Sequence, residues 1–317
     1  MTDSKDPDTA AGETSEGSPS GISATDFVDI DDLTPAELQR VLDRAAAMKA
    51  SEDGSRLSDV TLGMLFEKPS TRTRVSFETG MTQLGGHAMF LGPDDIQLGH
   101  GEPLRDTARV LGRYVDIVMA RVFDHEDVVT LAEYADCPVI NGLSDDAHPC
   151  QTLADLLTLQ EHFDDDVSVA WIGDGNNVGQ SFVLGAAMAG IDVTVATPAA
   201  YAMEDGVIER AGELGRAPTV TTDPEDAIAG ADVVYTDVWV SMGQEDERER
   251  KLAAFDGFQV NEELLAGTDT KVMHCLPAHR GEEITDAVME SDRVLVWDQA
   301  ENRLHAQKAL IVELLAE

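Results

Sequence analysis

The sequence predicts an α/β protein built from two doubly wound parallel-sheet domains. The chain has 317 residues, which is long for one small domain, and its 43% hydrophobic content falls in short blocks that can form a core. Strand-like and helix-like blocks alternate in two successive series, and this alternation is typical of parallel sheets covered by helices on both faces. The two series divide near residue 150, which predicts domains over 22–150 and 151–317.

The first series begins with a strong helix signal, "DDLTPAELQRVLDRAAAMKA", in which Thr34 is the expected N-cap and Pro35 the first helical residue. A buried strand, "VTLGMLF", follows, and an amphipathic helix is expected after Ser70. The helix "HPCQTLADLLTLQEHF" opens at Pro149. Between them lie strand "HAMFL", loop "GPDDIQLGHGEP", helix "LRDTARVLGRYV", strand "DIVMARVF", helix "EDVVTLAEYA" and strand "PVINGL".

The second series contains five predicted strands, "VSVAWIGD", "DVTVATP", "ADVVYTDV", "TKVMHCLP" and "RVLVWDQ". Its helices are "NNVGQSFVLGAAMAG", "MEDGVIERAGELG" and the closing amphipathic segment "ENRLHAQKALIVELLAE". A start of this last helix near residue 301 would place Arg303 in its first turn, either as an anion contact or as a solvated surface residue.

The chain is strongly acidic, with 61 acids against 22 bases and a net charge of −39. Residues 1–21 hold five acids and one lysine, or −4, which leaves −35 on the rest of the chain. This tail lacks apolar periodicity and is expected to be disordered. The field of the whole chain would repel nucleic acid and anionic lipid. Because molar salt shortens the Debye length to about 3 Å, such self-repulsion favours a halophilic source, with an ordinary acidic cytosolic protein as the alternative.

The remaining composition predicts a cytoplasmic protein with no segment that spans a membrane. The sequence has no apolar run of membrane-spanning length and no basic-then-apolar signal at its start. Three cysteines, Cys137, Cys150 and Cys275, form neither a CxxC pair nor an even disulfide framework, so a reducing compartment is expected.

The stretch "FEKPSTRTRVSF" (66–77) concentrates positive charge in this acidic chain, with three cations in residues 68–74. It lies between a strand and a helix, where free backbone N–H groups and the helix dipole bind anions. Hydroxyls and a planar guanidinium fork add donors suited to a phosphate. The alternative is that a serine only caps the helix while the arginines face surface acids. The candidate ligands are Ser70, Thr71, Arg72 and Thr73.

The stretch "DDAHPCQ" (145–151) places His148 and Gln151 at a strand-to-helix junction, one turn apart. A histidine and a glutamine there can donate to a carbonyl oxygen and accept from an amide. A turn signal with a surface histidine is the alternative.

The stretch "IGDGNNVGQSF" (172–182) is a poor match to the dinucleotide fingerprint. The third glycine of that fingerprint would fall at Val178, but the glycine is at 179, and no acid ends "DVTVATP". Asn176 and Asn177 at this helix start suit a small ligand's carboxylate, or simply cap the helix.

Two further strand ends carry polar side chains. "TDVWVSMG" places Asp237, Ser241 and Met242 at an edge where ligands lie in open α/β sheets, and an aspartate there suits an ammonium group or caps a loop. "MHCLPAHRGEEI" places Cys275 at another strand end, but its spacing lacks paired metal ligands, so no metal is expected. The thiol could orient or deprotonate an amine beside an aspartate, or pack as a small hydrophobe.

The motifs "STRTR", "HPCQ", "SMG" and "HCLPAHRG" together resemble the aspartate/ornithine carbamoyltransferase family over about residues 25–317. The resemblance implies a carbamoyl-phosphate-binding domain over 22–150 and an ornithine-binding domain over 151–317, joined by two interdomain helices. These are the "HPCQ" helix and the final helix, which would pack back on the first domain. The implied reaction transfers the carbamoyl group of carbamoyl phosphate to the δ-amine of L-ornithine, or the reverse in arginine catabolism, without a cofactor or metal. A homotrimer or a multiple of trimers is also implied.

The resemblance further implies roles for individual residues. The catalytic set is Arg121, His148, Asp237 and Cys275. The carbamoyl-phosphate site is Ser70, Thr71, Arg72, Thr73, Arg121, His148, Gln151, Cys275, Leu276 and Arg303, with Gln97 reaching into a neighbouring subunit. The ornithine site is Asn177, Asp237, Ser241 and Met242.

Other functions remain as alternatives at this point. Relatives that carbamoylate aspartate resemble a pattern with threonine at the cysteine of "HPCQ" and lack "SMG", and the "SMG" segment also disfavours putrescine. An N-acylated ornithine is a further candidate acceptor. From other classes, an inactive scaffolding paralogue is disfavoured because the matched polar positions are all filled, and a nicotinamide dehydrogenase is disfavoured by the displaced glycine.

Overall fold

The computed structural model describes residues 21–93, 102–163, 166–241 and 245–316. The predictions for the tail through residue 20, for Gln97 and for Met242 lie outside these ranges. Among the described residues, none of the helices combines the length and apolar character that crossing a membrane requires.

The strands of the described ranges form two sheets in which every pairing is parallel. The first sheet has the order β2-β1-β3-β4 and the second the order β7-β6-β5-β8-β9. The strands are β1 (Thr61–Phe66), β2 (His87–Leu91), β3 (Ile117–Arg121), β4 (Val139–Leu143), β5 (Ser168–Ile172), β6 (Asp192–Ala196), β7 (Thr219–Thr221), β8 (Val233–Thr236) and β9 (Lys271–His274).

Helices connect the strands and cover both faces of each sheet. They are α1 (Pro35–Lys49), α2 (Thr71–Leu84), α3 (Leu104–Leu111), α4 (His125–Tyr134), α5 (Pro149–His162), α6 (Asn177–Ala189), α7 (Asp205–Leu214), α8 (Pro224–Ile228), α9 (Arg248–Ala254), α10 (Asp286–Met289) and α11 (Val296–Leu314).

The predicted start of α1 is confirmed. The Thr34 hydroxyl accepts a hydrogen bond from the Glu37 backbone N–H, and the Glu37 carboxylate accepts from the Thr34 N–H. This reciprocal capping box satisfies two otherwise orphaned donors at the helix start.

Burial on both faces of a strand explains why the apolar blocks are nearly continuous. On β3, Ile117 and Met119 join the core that contains α1, α2 and α11, whereas Val118 and Ala120 join the core formed with α3 and α4. Side chains alternate across a sheet with a period of two, so both faces are covered by helices. The prediction of doubly wound parallel sheets is confirmed.

One apolar core extends through both domains. It includes residues of both sheets, and α11 packs against α1, α2 and α5. The last helix of the chain therefore lies on the first sheet's helices, while α5 links the end of β4 to the second domain. The junction is a packed interior that fixes one sheet's strand ends relative to the other's.

The predicted strand "RVLVWDQ" is wrong. Among the described residues it forms a single β bridge, between Val272 and Val294, and α11 already begins at Val296. A short apolar run is ambiguous between strand and buried helix, and the packing of α11 against α5 decides it. Arg303 therefore lies seven residues into the helix, not in its first turn. The short elements β7, α8, α9 and α10 were not predicted.

The glycine that spoils the dinucleotide match has a packing role. A Cβ at Gly179 on α6 would lie 2.7 and 2.8 Å from indole carbons of Trp171 on β5, closer than van der Waals contact. We expect Gly179→Ala to lower the free energy of unfolding by about 1–3 kcal/mol through overpacking. Gly206→Ala on α7 is the matched control, because nothing lies within 4 Å of its Cβ. The control should be neutral or stabilising by up to about 1 kcal/mol. Urea unfolding of both variants measures this, and equal effects would contradict the packing role.

Candidate active site

The anion end of the site is the start of α2. Ser70 is the N-cap, and its hydroxyl oxygen accepts from the Thr73 backbone N–H at 3.3 Å and lies 3.1 Å from the Thr73 hydroxyl. Thr73 is buried, whereas Thr71 and Arg72 are exposed. Ser70 therefore caps the helix, which does not prevent it from also contacting an anion. The first N–H groups of a helix have no partner within the helix, and Thr71 and Arg72 lie at this positive end. These groups are suited to binding an anion.

Three further cations gather at this end from separate elements. Lys68 follows β1, Arg121 ends β3 and Arg303 comes from α11, and each is less than 10% exposed. Within the described residues none of them makes an ion pair, and Arg121 Nε has no hydrogen-bond partner. Burial and the charges of Arg303 and Arg72 lower the pKa of Arg121 to about 10, and burial beside Arg121 lowers that of Lys68 to about 8. Buried cations that make no ion pair favour an anionic ligand.

His148 is the N-cap residue of α5, and it is buried beside these cations. Its backbone N–H donates to the Ser181 hydroxyl on α6 at 2.9 Å, which joins the two domains at this point. Burial, and then the charges of Arg303 and Arg121, lower the pKa of His148 well below its usual 6.5. Its Nδ1 makes no hydrogen bond within the described part of the chain. A neutral imidazole with a free ring nitrogen can bond a ligand's carbonyl or amide group.

Neutral amides hold Arg303 in place. Its Nη1 donates to Gln151 Oε1 at 2.7 Å. The Gln307 amide satisfies its neighbours when its oxygen faces Arg303 and accepts from Nε at 3.1 Å and Nη2 at 2.9 Å. Because amide oxygens orient the guanidinium without neutralising it, the charge of Arg303 stays available to a ligand.

The second half of the site follows β8 and β9. Asp237, directly after β8, is 5% exposed, and its two oxygens accept from Cys275 Sγ and Asn176 Nδ2, each at 2.9 Å. A buried carboxylate with neutral partners attracts a ligand ammonium group. Asn176 also caps α6 by accepting from two backbone N–H groups, so it positions Asp237 from the helix start.

The Cys275 thiol is a hydrogen-bond donor in this arrangement. Burial, and then the neighbouring Asp237 and Asp155, raise its pKa well above 9. The charges of Arg72 and Arg121 act on the same thiol, so the two halves of the site are adjacent. Leu276, the next residue, is half-buried with φ of +60°, a conformation that costs a non-glycine residue energy and is typical of functional sites.

The other predicted residues have simpler surroundings. Asn177 donates through Nδ2 to the Ser144 carbonyl at 2.6 Å, which ties α6 to the loop after β4. Ser241 is half-buried at the end of the range 166–241.

One group of potential metal ligands lies within the site. Atoms of Asp237, His274 and Cys275 lie within 4.8 Å of one another. However, the thiol donates to Asp237, and the two His274 ring nitrogens are engaged by the Leu276 N–H and by Glu283 Oε1. These bonds leave the imidazole no lone pair for a metal.

Lys68 is a participant that the sequence does not assign to the site. Of the two candidate asparagines, the resemblance assigns only Asn177 to ornithine, whereas Asn176 is the one that contacts Asp237. The strand-to-helix position of "EKPSTRTR" could have indicated Lys68. The choice between adjacent asparagines depends on which one caps α6, and that is a property of the backbone.

The fold and the site together define a two-domain α/β enzyme in which a helix start surrounded by cations lies next to a buried carboxylate. Family models match the chain over residues 25–161, as the aspartate/ornithine carbamoyltransferase carbamoyl-P binding domain, and over 165–314, as the Asp/Orn binding domain. The chain therefore belongs to the aspartate/ornithine carbamoyltransferase family.

Individual relatives are similar over nearly their whole length. An ornithine carbamoyltransferase of Haloquadratum walsbyi is 68% identical over 296 residues, which are 93% of this chain and 99% of the relative. The solved ornithine carbamoyltransferase structures from Pyrococcus furiosus and Thermus thermophilus are 49% and 46% identical, with TM-scores of 0.86 and 0.84. Each match covers 92% of this chain, and 97% and 99% of the respective solved chains.

Proposed function

We propose that this enzyme transfers the carbamoyl group of carbamoyl phosphate to the δ-amine of L-ornithine and releases L-citrulline and phosphate. The proposal covers the reverse reaction equally. The observation that carries it is the group of buried cations at the start of α2, which make no ion pair among the described residues, next to the Asp237 carboxylate. Carbamoyl phosphate, the dianionic donor, matches the cations, and ornithine, the cationic acceptor, matches the Asp237 carboxylate.

The chemistry needs only the side chains of this site. The neutral δ-amine attacks the carbamoyl carbon, a C–N bond forms, and negative charge builds on the carbonyl oxygen. Thr73, Arg121, His148 and Arg303 are the proposed donors to that oxygen, an effect worth about 3 kcal/mol for one such donor. The C–O bond to phosphate then breaks, and phosphate leaves into the α2 start. A proton must also leave the attacking nitrogen.

We assign different roles to Asp237 and Cys275. A thiol whose pKa is raised well above 9 stays protonated near neutral pH and is a poor base. Asp237 is the acceptor of the pair and can attract the ammonium form or influence loss of its proton. Cys275 holds one oxygen of Asp237 in place.

The remaining roles are proposed from the family resemblance. Gln97 would reach the site of a neighbouring copy, so the proposed assembly is a homotrimer or a multiple of it. The proposed carbamoyl-phosphate ligands are Ser70, Thr71, Arg72, Thr73, Arg121, His148, Gln151, Cys275, Leu276 and Arg303. The proposed ornithine ligands are Asn177, Asp237, Ser241 and Met242. The proposed domains are 22–150 and 151–317.

We also propose a cytoplasmic, halophilic enzyme. The net charge of −39 supports this, and so does the 68% identity to the Haloquadratum walsbyi relative. Self-repulsion of this size is weakened when salt shortens the Debye length.

The test is citrulline formation from carbamoyl phosphate at molar KCl, with ornithine, putrescine, aspartate and N-acetylornithine supplied in parallel. We expect turnover with ornithine alone, because Asp237 and the "SMG" segment suit an α-amino acid with a side-chain amine. The same assay at low ionic strength should show loss of activity, and full activity and stability there would contradict the halophilic proposal.

Two results would overturn the functional proposal. Turnover with another acceptor in preference to ornithine would reassign the substrate. No turnover with any amine, in a protein that still binds carbamoyl phosphate, would indicate a binding paralogue that kept its phosphate site.

A further inference from the structure

A fully buried carboxylate, Asp155, lies on α5 one turn after Gln151, outside the residues assigned to the substrates. It accepts three hydrogen bonds from three different elements. Oδ1 accepts from Gln151 Nε2 at 2.8 Å and from Gln299 Nε2 on α11 at 2.7 Å, and Oδ2 accepts from the Tyr235 hydroxyl on β8 at 2.9 Å. Burying a carboxylate without an ion pair is costly, so this arrangement calls for a functional explanation.

A carboxylate that only accepts hydrogen bonds decides which way a neighbouring amide points. The Gln151 NH₂ group must face Asp155, and this turns Oε1 toward Arg303, where it accepts from Nη1. With the amide reversed, its NH₂ group would meet the guanidinium, which has no acceptor. Asp155 therefore sets the orientation of Arg303 through Gln151.

The same argument applies on the amino-acid side. The Gln299 NH₂ group faces Asp155, so its Oε1 accepts from the His274 backbone N–H at 3.0 Å. His274 ends β9 directly before Cys275, which donates to Asp237. One carboxylate thus fixes an amide beneath each half of the site.

We propose that Asp155 is a positioning residue that orients Gln151 and Gln299. Through these two amides it fixes the position of Arg303 relative to the end of β9, next to Cys275. The effects expected on turnover rest on the proposed carbamoyl transfer, whereas the effect expected on anion binding does not. The Tyr235 hydroxyl stabilises the carboxylate without orienting either amide.

The groups around Asp155 bear on its ionisation. Burial raises its pKa to about 7, and the three hydrogen bonds and the charge of Arg303 oppose that rise. Tyr235 and Cys275, from β8 and the end of β9, are the acidic groups that face it, and burial raises the pKa of both. A protonated Asp155 would itself become a donor and lose part of its hold on the amides.

Asp155→Leu and Asp155→Asn distinguish orientation from packing. Leucine removes the acceptor, whereas asparagine can place its oxygen at the Oδ1 position and its NH₂ group toward the Tyr235 oxygen. We expect the leucine variant to bind inorganic phosphate and carbamoyl phosphate about 10- to 100-fold more weakly, because small displacements of site groups carry penalties of this size. The asparagine variant should stay within about fivefold of the parent, allowing for the lost charge.

The matched control is Thr158→Val, one turn further along α5. It removes an equally buried bond to α11, where Asn302 Nδ2 donates to Thr158 Oγ1 at 2.9 Å, but touches neither amide. We expect this variant to lose stability and keep parent binding constants. Calorimetric phosphate binding at molar KCl is the readout, so the experiment stands even if the parent makes no citrulline.

Parent-like binding by folded Asp155→Leu, or equally poor binding by Asp155→Asn and Asp155→Leu, would overturn the proposal. If the leucine variant does not fold, Gln299→Met tests the other branch. It removes one oriented amide and keeps the carboxylate, and it should leave phosphate binding unchanged while lowering kcat/KM for ornithine about 10-fold or more. Unchanged ornithine kinetics in Gln299→Met would likewise overturn the proposal.

Discussion

Replacing Arg121 with methionine should lower kcat about 100- to 1,000-fold, because it removes one charged donor to the oxygen on which negative charge develops. The same change should leave the free energy of unfolding equal or higher. Arg121 is buried beside Arg303 and Arg72, and this environment lowers its pKa to about 10. A basic group whose pKa is lowered by folding destabilises the fold at every pH below that value, including neutral pH. Each pKa unit corresponds to about 1.4 kcal/mol, so the penalty that is removed is a few kcal/mol at most.

The control for Arg121 is Arg113→Met in the same domain. Arg113 is largely exposed and lies 3.8 Å from Asp136, an exposed pair of little energetic value. Steady-state kinetics and urea unfolding at molar KCl would be measured for both variants. An Arg121→Met enzyme with parent activity would contradict the catalytic role of Arg121. An enzyme destabilised by several kcal/mol would contradict the inference that burying Arg121 destabilises the fold.

Replacing Asp237 with asparagine should lower kcat/KM for ornithine by about 30- to 1,000-fold, since removing one partner of a buried charged contact costs roughly 2–4 kcal/mol. The side chain keeps its shape but loses its charge. It also places an NH₂ group against either the Cys275 thiol or the Asn176 amide, both of which are donors. Affinity for carbamoyl phosphate should change little, because the cations that would bind it do not pair with Asp237.

Asp232→Asn is the matched control at the opposite end of the same strand. Asp232 precedes β8, and its Oδ2 accepts from the Ser168 N–H and hydroxyl, far from the carboxyl end where Asp237 lies. Asp232→Asn should keep parent kinetics.

The pH–rate profiles of Asp237→Asn and Cys275→Ser separate the two candidates for proton handling: we expect the first profile to change and the second to keep its shape. Two profiles identical to the parent's would remove both residues from that step.

Much of the fold could be predicted because each buried strand carries its own signal. The blocks "VTLGMLF", "DIVMARVF" and "VSVAWIGD" are apolar on both faces, and this pattern specifies strands between two layers of helix. "RVLVWDQ" has the same local appearance and is mostly helix, because Val296 is buried within α11 and not in a sheet. The local pattern indicates only that a segment is apolar. Distant parts of the chain supply the element that buries the segment.

The position of the candidate site could also be predicted from local sequence signals, but the contacts within the site could not. Asp237 and Cys275 follow neighbouring strands of the second sheet, so their convergence at one edge follows from topology. Arg121 ends a strand of the first sheet, and only the packing between the two domains brings it to the same place. Asp155 carries no such signal, because its carboxylate is identified only by the donors that α11 and β8 bring to it. Asn176 and Lys68 were likewise assigned by backbone position and burial, not by residue type.

The sequence by itself determined the two parallel sheets, the acidic field of the chain and the polar residues at the strand ends. These follow from local periodicity and from charge, which are properties of neighbouring residues. Only the tertiary structure decided that burial lowers the pKa of His148, that Lys68, Arg121 and Arg303 lie buried without ion pairs among the described residues, and that Asp155 accepts hydrogen bonds from two amides. Desolvation and charge interactions depend on every group within a few ångströms, and here those groups come from elements as far apart in the chain as α2, β3, α5 and α11.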